Sequence, residues 1–425
     1  MPRARILRIA RITSHWTRLP GAVWLLGVAS LLNDVSSEMV FPLLGGFIAT
    51  LGAPMRTVGV VLGVADAAAV VVKILVGRWS DKVSRRPLVI AGYLVAAAGR
   101  AAIALSTTAG QVLGARSLDR AGRAVRSGPR DAMLAAVVPA GERGRAYGLN
   151  QALDHVGAAV GPLLASACLV GGLSMRATFG IAAAVGLLAP LLLALRLRDE
   201  PRAARPPQPL VPITPALAAG DAAPAGGGAK HPGWAPLGTY LFTCGVFALG
   251  NSSDAFILLR AGQLGWAPAL LPLLWLAHHL VTSVTSAIGG SLSDRLPRAW
   301  MIGGGWAAYA ATYLGFAFAA ERWHVLALLL FYGVYHGLAE APERALVADL
   351  AVPARRGTAF GLYHGVVGFA ALPAGLFMGW LWDRAGARAA FAGGAALALL
   401  AAVLLGALVF FGPLKSAGHA PSRGP

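Results

Sequence analysis

Gly77–Arg86 reads GRWSDKVSRR, and Gly289–Arg298 reads GGSLSDRLPR. Each follows a long apolar run and carries Ser-Asp and a basic residue at its centre; the two aspartates, Asp81 and Asp294, stand 213 residues apart. At the same offset RGRAYGL (Arg143–Leu149) superposes on RGTAFGL (Arg356–Leu362), and PRDA (129–132) on PERA (342–345). The chain reads as a duplication. What lies between the repeated loops decides what was duplicated.

Of the 425 residues, 57% are hydrophobic and 13% charged, against about 25% charged in soluble domains. Such a chain cannot clothe itself in a water-soluble surface. About 20 apolar residues span the bilayer hydrocarbon as a helix. Twelve such spans are predicted, near 22–45, 57–77, 87–107, 110–137, 146–170, 175–196, 236–259, 266–288, 299–320, 324–349, 357–380 and 388–412. A barrel would need alternating ten-residue strands, and the sequence has none of that pattern. The first span is too long for a cleavable signal and lacks a small-residue cleavage site.

The formal charge of +18 suggests nucleic acid at first sight, but the basic residues follow the loops and form no single arm. They gather before the first span and in alternate loops, at positions such as Arg3, Lys82, Arg143, Arg198, Arg295 and Arg355. The positive-inside rule makes that side cytoplasmic, with both termini on it. Cys168 and Cys244 fall singly in predicted spans and form no disulfide or metal framework.

The expected organisation is an all-α integral membrane protein. A basic cytoplasmic segment (1–21) precedes a six-helix half (22–196), then a Pro/Gly/Ala-rich linker (197–235), a second half (236–412) and a cytoplasmic tail (413–425). Parallel repeats of this kind place a substrate path between them near the midplane and rock to alternate access.

The loop between spans two and three resembles the signature of the major facilitator superfamily, G-x-L-a-D-r-x-G-r-k. Here it holds Gly77, Trp79, Ser80, Asp81, Lys82, Ser84, Arg85 and Arg86; the second copy holds Gly290, Leu292, Ser293, Asp294, Arg295, Pro297 and Arg298. SLLNDVSSEMVFPLL, RSLDRAGRAVRSGPRDAM and GNSSDAFILLR further resemble a large prokaryotic group of mostly uncharacterised exporters. The resemblance implies the twelve-span fold and a gate in these loops, since an aspartate at a helix end engages a neighbouring helix N-terminus and basic side chains. Gly77, Asp81, Lys82, Arg85, Arg86, Gly290, Asp294, Arg295 and Arg298 are the gate candidates. Arg130-Asp131 and Glu343-Arg344, inverted in charge order, are expected to bridge to them when the cytoplasmic side closes.

A charge at bilayer depth is costly and marks function by default. Span one offers Asn33, Asp34, Ser37 and Glu38 as a narrow strip on one helical face; span four offers Arg116, Asp119, Arg120 and Arg123. Arg116 stands at the superfamily's span-four arginine, and the resemblance implies that a span-one acid and a span-four arginine couple protons, Asp34 with Arg116 first and Glu38 with Arg120 second. Further cavity candidates are Asp66 and Lys73 in span two, and Asp254, His278, His279, His336, Glu340 and His364 in the second half. Gly157, Gly161 and Pro162 match part of G-x-x-x-G-P-x-x-G-G, an element associated with proton-coupled exporters. Small residues permit close helix approach, and proline a bend.

The leading expectation is proton-coupled efflux of a small molecule by alternating access, from a multi-pass monomer in the bacterial cytoplasmic membrane. The alternatives are a proton-coupled importer of an organic anion, suited to the arginines of span four, an exporter of a divalent metal or metallophore, suited to the histidines, and a sensor on a transporter scaffold. No nucleophile-base spacing, closed metal cluster or P-loop is visible. Neither enzyme activity, cofactor, resident metal nor nucleic-acid partner is expected.

Overall fold

The structure, a computed structural model, describes residues 19–80, 83–138, 143–197, 234–293, 296–351, 356–412 and 414. Every regular element among them is helical. The first half comprises α1 (Gly21–Thr50), α2 (Met55–Ser80), α3 (Arg85–Leu105), α4 (Ala109–Val137), α5 (Arg143–Val170) and α6 (Met175–Arg196). In the second half α7 (Trp234–Gly250) and α8 (Ala255–Gln263) make one crossing, broken at residues 251–254. A 3-10 turn (Pro268–Leu270) leads into α9 (Leu271–Ser293), followed by α10 (Arg298–Phe318), α11 (Arg322–Leu350) and α12 (Arg356–Phe410). α12 runs for 55 residues and holds two crossings separated at Gly386 (φ 78°).

Several boundaries follow from local chemistry. Thr108 accepts a hydrogen bond from the Gln111 amide while Gln111 reaches back, a capping box that starts α4. The hydroxyl of Ser174 caps α6 in the same manner. Eight described stretches are long and apolar enough to cross a membrane. Twelve crossings are completed by α1, α4 and α10 and by the second crossing within Ala359–Phe410. The seventh crossing differs from the sequence expectation: Asn-Ser-Ser-Asp interrupts it, and the freed Gly250 carbonyl accepts from Tyr309 Oη at 3.0 Å. An interrupted helix at membrane depth is tolerated where protein groups re-satisfy its backbone.

Positive φ occurs at Gly52, Gly172, Gly265 and Gly386 alone among the described residues. Each sits in a turn at the end of the bundle opposite residues 197 and 234, a backbone only glycine adopts readily. Gly52 and Gly265 are 213 residues apart, so the duplication is repeated in backbone conformation. That end is the turn face; the other is the linker face.

Packing repeats too. In the first half α3 packs on α4, α2 on α4, and α1 on α5; in the second α10 packs on α11, α9 on α11, and α7 on α12. The halves meet chiefly along α2 and α12, with α5 against α9 as the second seam. At the turn face Asp383 accepts from the Met55 and Arg56 amides (2.8 and 3.0 Å), capping α2 from the opposite half. A Cβ at Gly59 would collide with the Gly375 backbone, so side chains cannot intervene there. On the second seam Ser166 Oγ donates to the Ala269 carbonyl at 2.6 Å. The turn face is closed.

Candidate functional site

The first half encloses an ion network. Gly92, Gly99 and Gly122 let the α3 and α4 backbones approach so closely that added Cβ atoms would strike the facing helix. Arg100 is fully buried in the resulting seam. Its guanidinium donates to the Asn33 carbonyl (2.9 Å) and Asn33 Oδ1 (2.6 Å), with Nε 3.4 Å from Asp119 Oδ1. Arg116 holds the other Asp119 oxygen at 2.7 Å. One buried carboxylate thus serves two guanidiniums, and Asn33 takes the further donors of Arg100, so each charge has a partner within the seam. Arg100 is not among the residues expected at the site, although as a lone arginine in the apolar run LVIAGYLVAAAGRAAIAL it is marked in the sequence.

The expected pairs Asp34 with Arg116 and Glu38 with Arg120 do not form. α1 and α4 run antiparallel, and four steps along one are matched by four steps back along the other. Arg130 Nη1 donates to Ser30 Oγ at 2.6 Å, Arg126 Nη2 lies 4.0 Å from Asp34 Oδ1, and Arg123 Nη2 donates to Ser37 Oγ at 2.7 Å. Arg116 lies ten residues from Arg126, about 15 Å along the axis, and so stands too near the turn face for Asp34. Asp34 also accepts from Asn33 Nδ2 (3.0 Å). Arg126 stacks over Tyr93 with its guanidinium carbon 4.4 Å from the ring centroid. Arg120 instead pairs with Asp66 of α2 at 2.8 Å.

Glu38 points across to the second half. Its Oε2 accepts from Trp275 Nε1 at 2.9 Å and lies 3.6 Å from His279 Nε2, both on α9. Gly157 and Gly161 of α5 pack directly behind the two acids: a Cβ at Gly157 would stand 3.0 Å from Asp34 Cβ, and one at Gly161 2.8 Å from Glu38 Cβ. These glycines therefore fix the depth and direction of the carboxylates through close approach. Pro162 lies within α5, one residue on.

At the 213-residue offset the second half carries aromatic groups where the first carries charges: Tyr313 for Arg100, Tyr332 for Asp119, Phe247 for Asp34, and His336 for Arg123. Tyr309 and Tyr313 stack at 4.2 Å, and Phe247 stacks on Trp306 at 4.8 Å. His278 is sandwiched between Trp275 and Tyr332, ring centroids 5.0 and 5.1 Å away. Tyr332 Oη donates to Asp254 Oδ1 at 2.8 Å, in the break between α7 and α8. Glu343 accepts from Trp306 Nε1 (2.8 Å) and Tyr363 Oη (2.6 Å).

Two cavities share Asn251 and His336. The first, about 220 Å³, lies between the halves and is lined by Asp66, Arg120, Asp254, Tyr332 and His336 among others. The second, about 250 Å³, lies in the second half and is lined by Phe247, Trp306, Tyr335, Tyr363, Glu340, Glu343, Arg344 and His364 among others. Asn33, Ser37 and Asp119, expected in the cavity, are instead buried inside the first half, and Arg123 serves Ser37 there. Their strip faces α3 and α4 because those helices, rather than the central path, supply its donors. Lys73 is exposed on α2. His278 is buried with Nδ1 against the Leu329 carbonyl (3.3 Å), while His336 Nδ1 contacts Glu340 (3.0 Å). His278 lies 5.9 Å from His279 and 5.3 Å from His336 between ring centroids, yet among the described residues no three of His, Cys, Asp and Glu are placed to hold a metal.

Of the gate candidates, Asp81, Lys82, Asp294 and Arg295 lie outside the described residues, and Gly77 and Gly290 fall where only the helix backbone is described. Arg86 donates to the Ala194 carbonyl (3.0 Å), tying α3 to α6. Arg85 begins α3. Arg298 pairs with Asp349 and contacts the Ala345 carbonyl. Arg130 binds Asp131 and Ser30. Glu343 is held in this conformation by an indole and a phenol that face the second cavity. Its neighbour Arg344 approaches Glu340 at 3.9 Å.

A family model described as Major Facilitator Superfamily matches residues 26–258 and 239–425. An uncharacterized MFS-type transporter of Methanocaldococcus jannaschii is 30% identical over 396 residues, 90% of this chain and 94% of that protein. Multidrug resistance protein MdtH of Aeromonas hydrophila is 31% identical over 144 residues, 34% of this chain and 36% of that protein. The chain shares its fold with the inward-facing, occupied crystal structure of a bacterial homolog of the human lysosomal transporter Spinster (TM-score 0.70, 16% identity, 95% and 98% of the two chains covered).

Proposed function

Because the chain belongs to the major facilitator superfamily, we propose that it is a proton-coupled exporter of a small molecule, working by alternating access. The single observation that carries this reading is Glu38, a carboxylate on α1 engaged at mid-depth by Trp275 and His279 of the opposite half. While ionised, Glu38 accepts the indole N–H with the His279 ring 3.6 Å away, and the halves are drawn together at that point. A proton on the carboxylate removes the charge from this contact, so a two-state equilibrium of the halves is biased by protonation. Partial similarity to MdtH supports export over uptake. With the linker face cytoplasmic by the positive-inside rule, the contacts that close the turn face are those expected of an exporter's loading state, in which access is from the cytoplasm.

The experiment is proton flux in inverted vesicles, followed with a pH-sensitive dye while cationic drugs, organic anions and divalent metals are added in turn. Wild type is expected to release the gradient with at least one class, and Glu38→Gln to release none. A folded wild type that is silent to every class, or a variant that responds as wild type does, contradicts the reading.

A further inference from the structure

The chain carries a formal charge of +18, yet the walls of its two cavities carry the opposite sign. Asp66, Asp254, Glu340 and Glu343 line them against Arg120 and Arg344, four acids to two bases. The arginines of α4 that would suit an anion are spent elsewhere: Arg116 on Asp119, Arg123 on Ser37, Arg126 on Tyr93 and Asp34, Arg130 on Ser30 and Asp131. Only Arg120 reaches the central cavity, and Asp66 neutralises it at 2.8 Å.

The second cavity adds a surface fitted to one class of ligand. Its aromatic wall is built on Phe247 and Trp306, nearly parallel at 8° and 4.8 Å, with Tyr335 5.6 Å from Phe247. Glu343 is held by Trp306 and Tyr363 in that wall, and the side chain of Glu340 is 46% exposed. His336 Nε2 is buried and has no hydrogen-bond partner among the described residues, although its ring lines both cavities. Aromatic faces attract cations through the ring quadrupole, and a carboxylate fixed among them adds charge in a medium of low dielectric. The volume of about 250 Å³ admits a single-ring ligand with a small charged group.

We infer that the second-half cavity binds an organic cation with an aromatic or apolar body, its charge facing Glu343 and Glu340 and its body lying against Phe247, Trp306 and Tyr335. This names the substrate class for the transport reading above, on which its transport consequence rests; the binding itself needs no proton gradient. It favours a cation over the organic anion that the arginines of span four suggested.

The test is equilibrium dialysis of the full chain in lipid nanodiscs against labelled benzyltrimethylammonium and benzenesulfonate, one aromatic ring bearing opposite charges. The cation is expected to bind saturably and the sulfonate not. Glu343→Gln and Glu340→Gln should each weaken the cation by about tenfold. If Glu343→Gln fails to fold, Glu340→Gln carries the comparison, its side chain being half exposed. Sulfonate binding as tight as the cation's, no saturable cation binding up to ~10 mM, or folded variants that bind like wild type would each overturn the inference. Cation binding without proton release in vesicles would instead fail the coupling reading alone.

Discussion

Arg100 shows what a single residue does here. It holds Asn33 by two contacts and shares Asp119 with Arg116, so the polar strip of α1, the end of α3 and the middle of α4 are locked through one guanidinium. Arg100→Met leaves Asp119 with one cation and the Asn33 carbonyl without its donor. Breaking a buried pair costs about 3–5 kcal/mol, and the expected outcome is a drop of several degrees or more in the melting temperature of the detergent-solubilised protein, or loss of folded protein. An unchanged melting curve would mean the network is decoration. The charged residues were legible in the sequence, because every ionisable side chain at bilayer depth stands out against its apolar run. Their partners were not, because residue number fixes neither depth nor direction. Arg116 and Asp34 share a family motif but occupy different levels. Ser30, Asp34 and Ser37 match Arg130, Arg126 and Arg123 only once the antiparallel register of α1 and α4 is known.

Between elements, the decisive contacts are seams made of small residues and caps. α2 and α12 meet at Gly59 and Gly375, and Asp383 caps the first turn of α2 through two amides. A carboxylate at a helix N-terminus gains from both the hydrogen bonds and the helix dipole, and this one bridges the two halves. Asp383→Asn weakens a contact present only while the turn face is closed. A loss of about 1 kcal/mol shifts the closed-to-open ratio roughly fivefold. Double electron-electron resonance between labels on the turn-face ends of α2 and α12 should show a larger long-distance population in the variant; an unchanged distribution would place the closing energy elsewhere. The duplication extends to backbone conformation, since Gly52 and Gly265 mark equivalent turns. It did not foretell the break at 251–254: residues 235–263 are apolar enough on average to read as one crossing, and only the polar run Asn251, Ser252, Ser253 and Asp254 hinted at it.

Taken whole, the molecule is one backbone plan used twice with opposite chemistry. The first half places Arg100, Asp119 and Arg123 where the second places Tyr313, Tyr332 and His336. Charges are thus satisfied inside one half, and the aromatic wall is built inside the other. Glu38 is the carboxylate of α1 that leaves the first half to meet the second, and on the proposed reading it is where a proton acts on the relation between halves. The twelve-crossing plan was legible from composition and the repeated loops; that the first half pairs its charges with one another while the second packs rings at the equivalent positions emerges only from the contacts. On the proposed reading, Glu38 couples protons to movement without being needed for movement itself. In proteoliposomes, labelled benzyltrimethylammonium would be followed in two modes: equilibrium exchange with no gradient, and accumulation driven by an imposed pH gradient. Glu38→Gln is predicted to retain exchange and to lose gradient-driven accumulation. Accumulation by the variant at the wild-type level would contradict the claim.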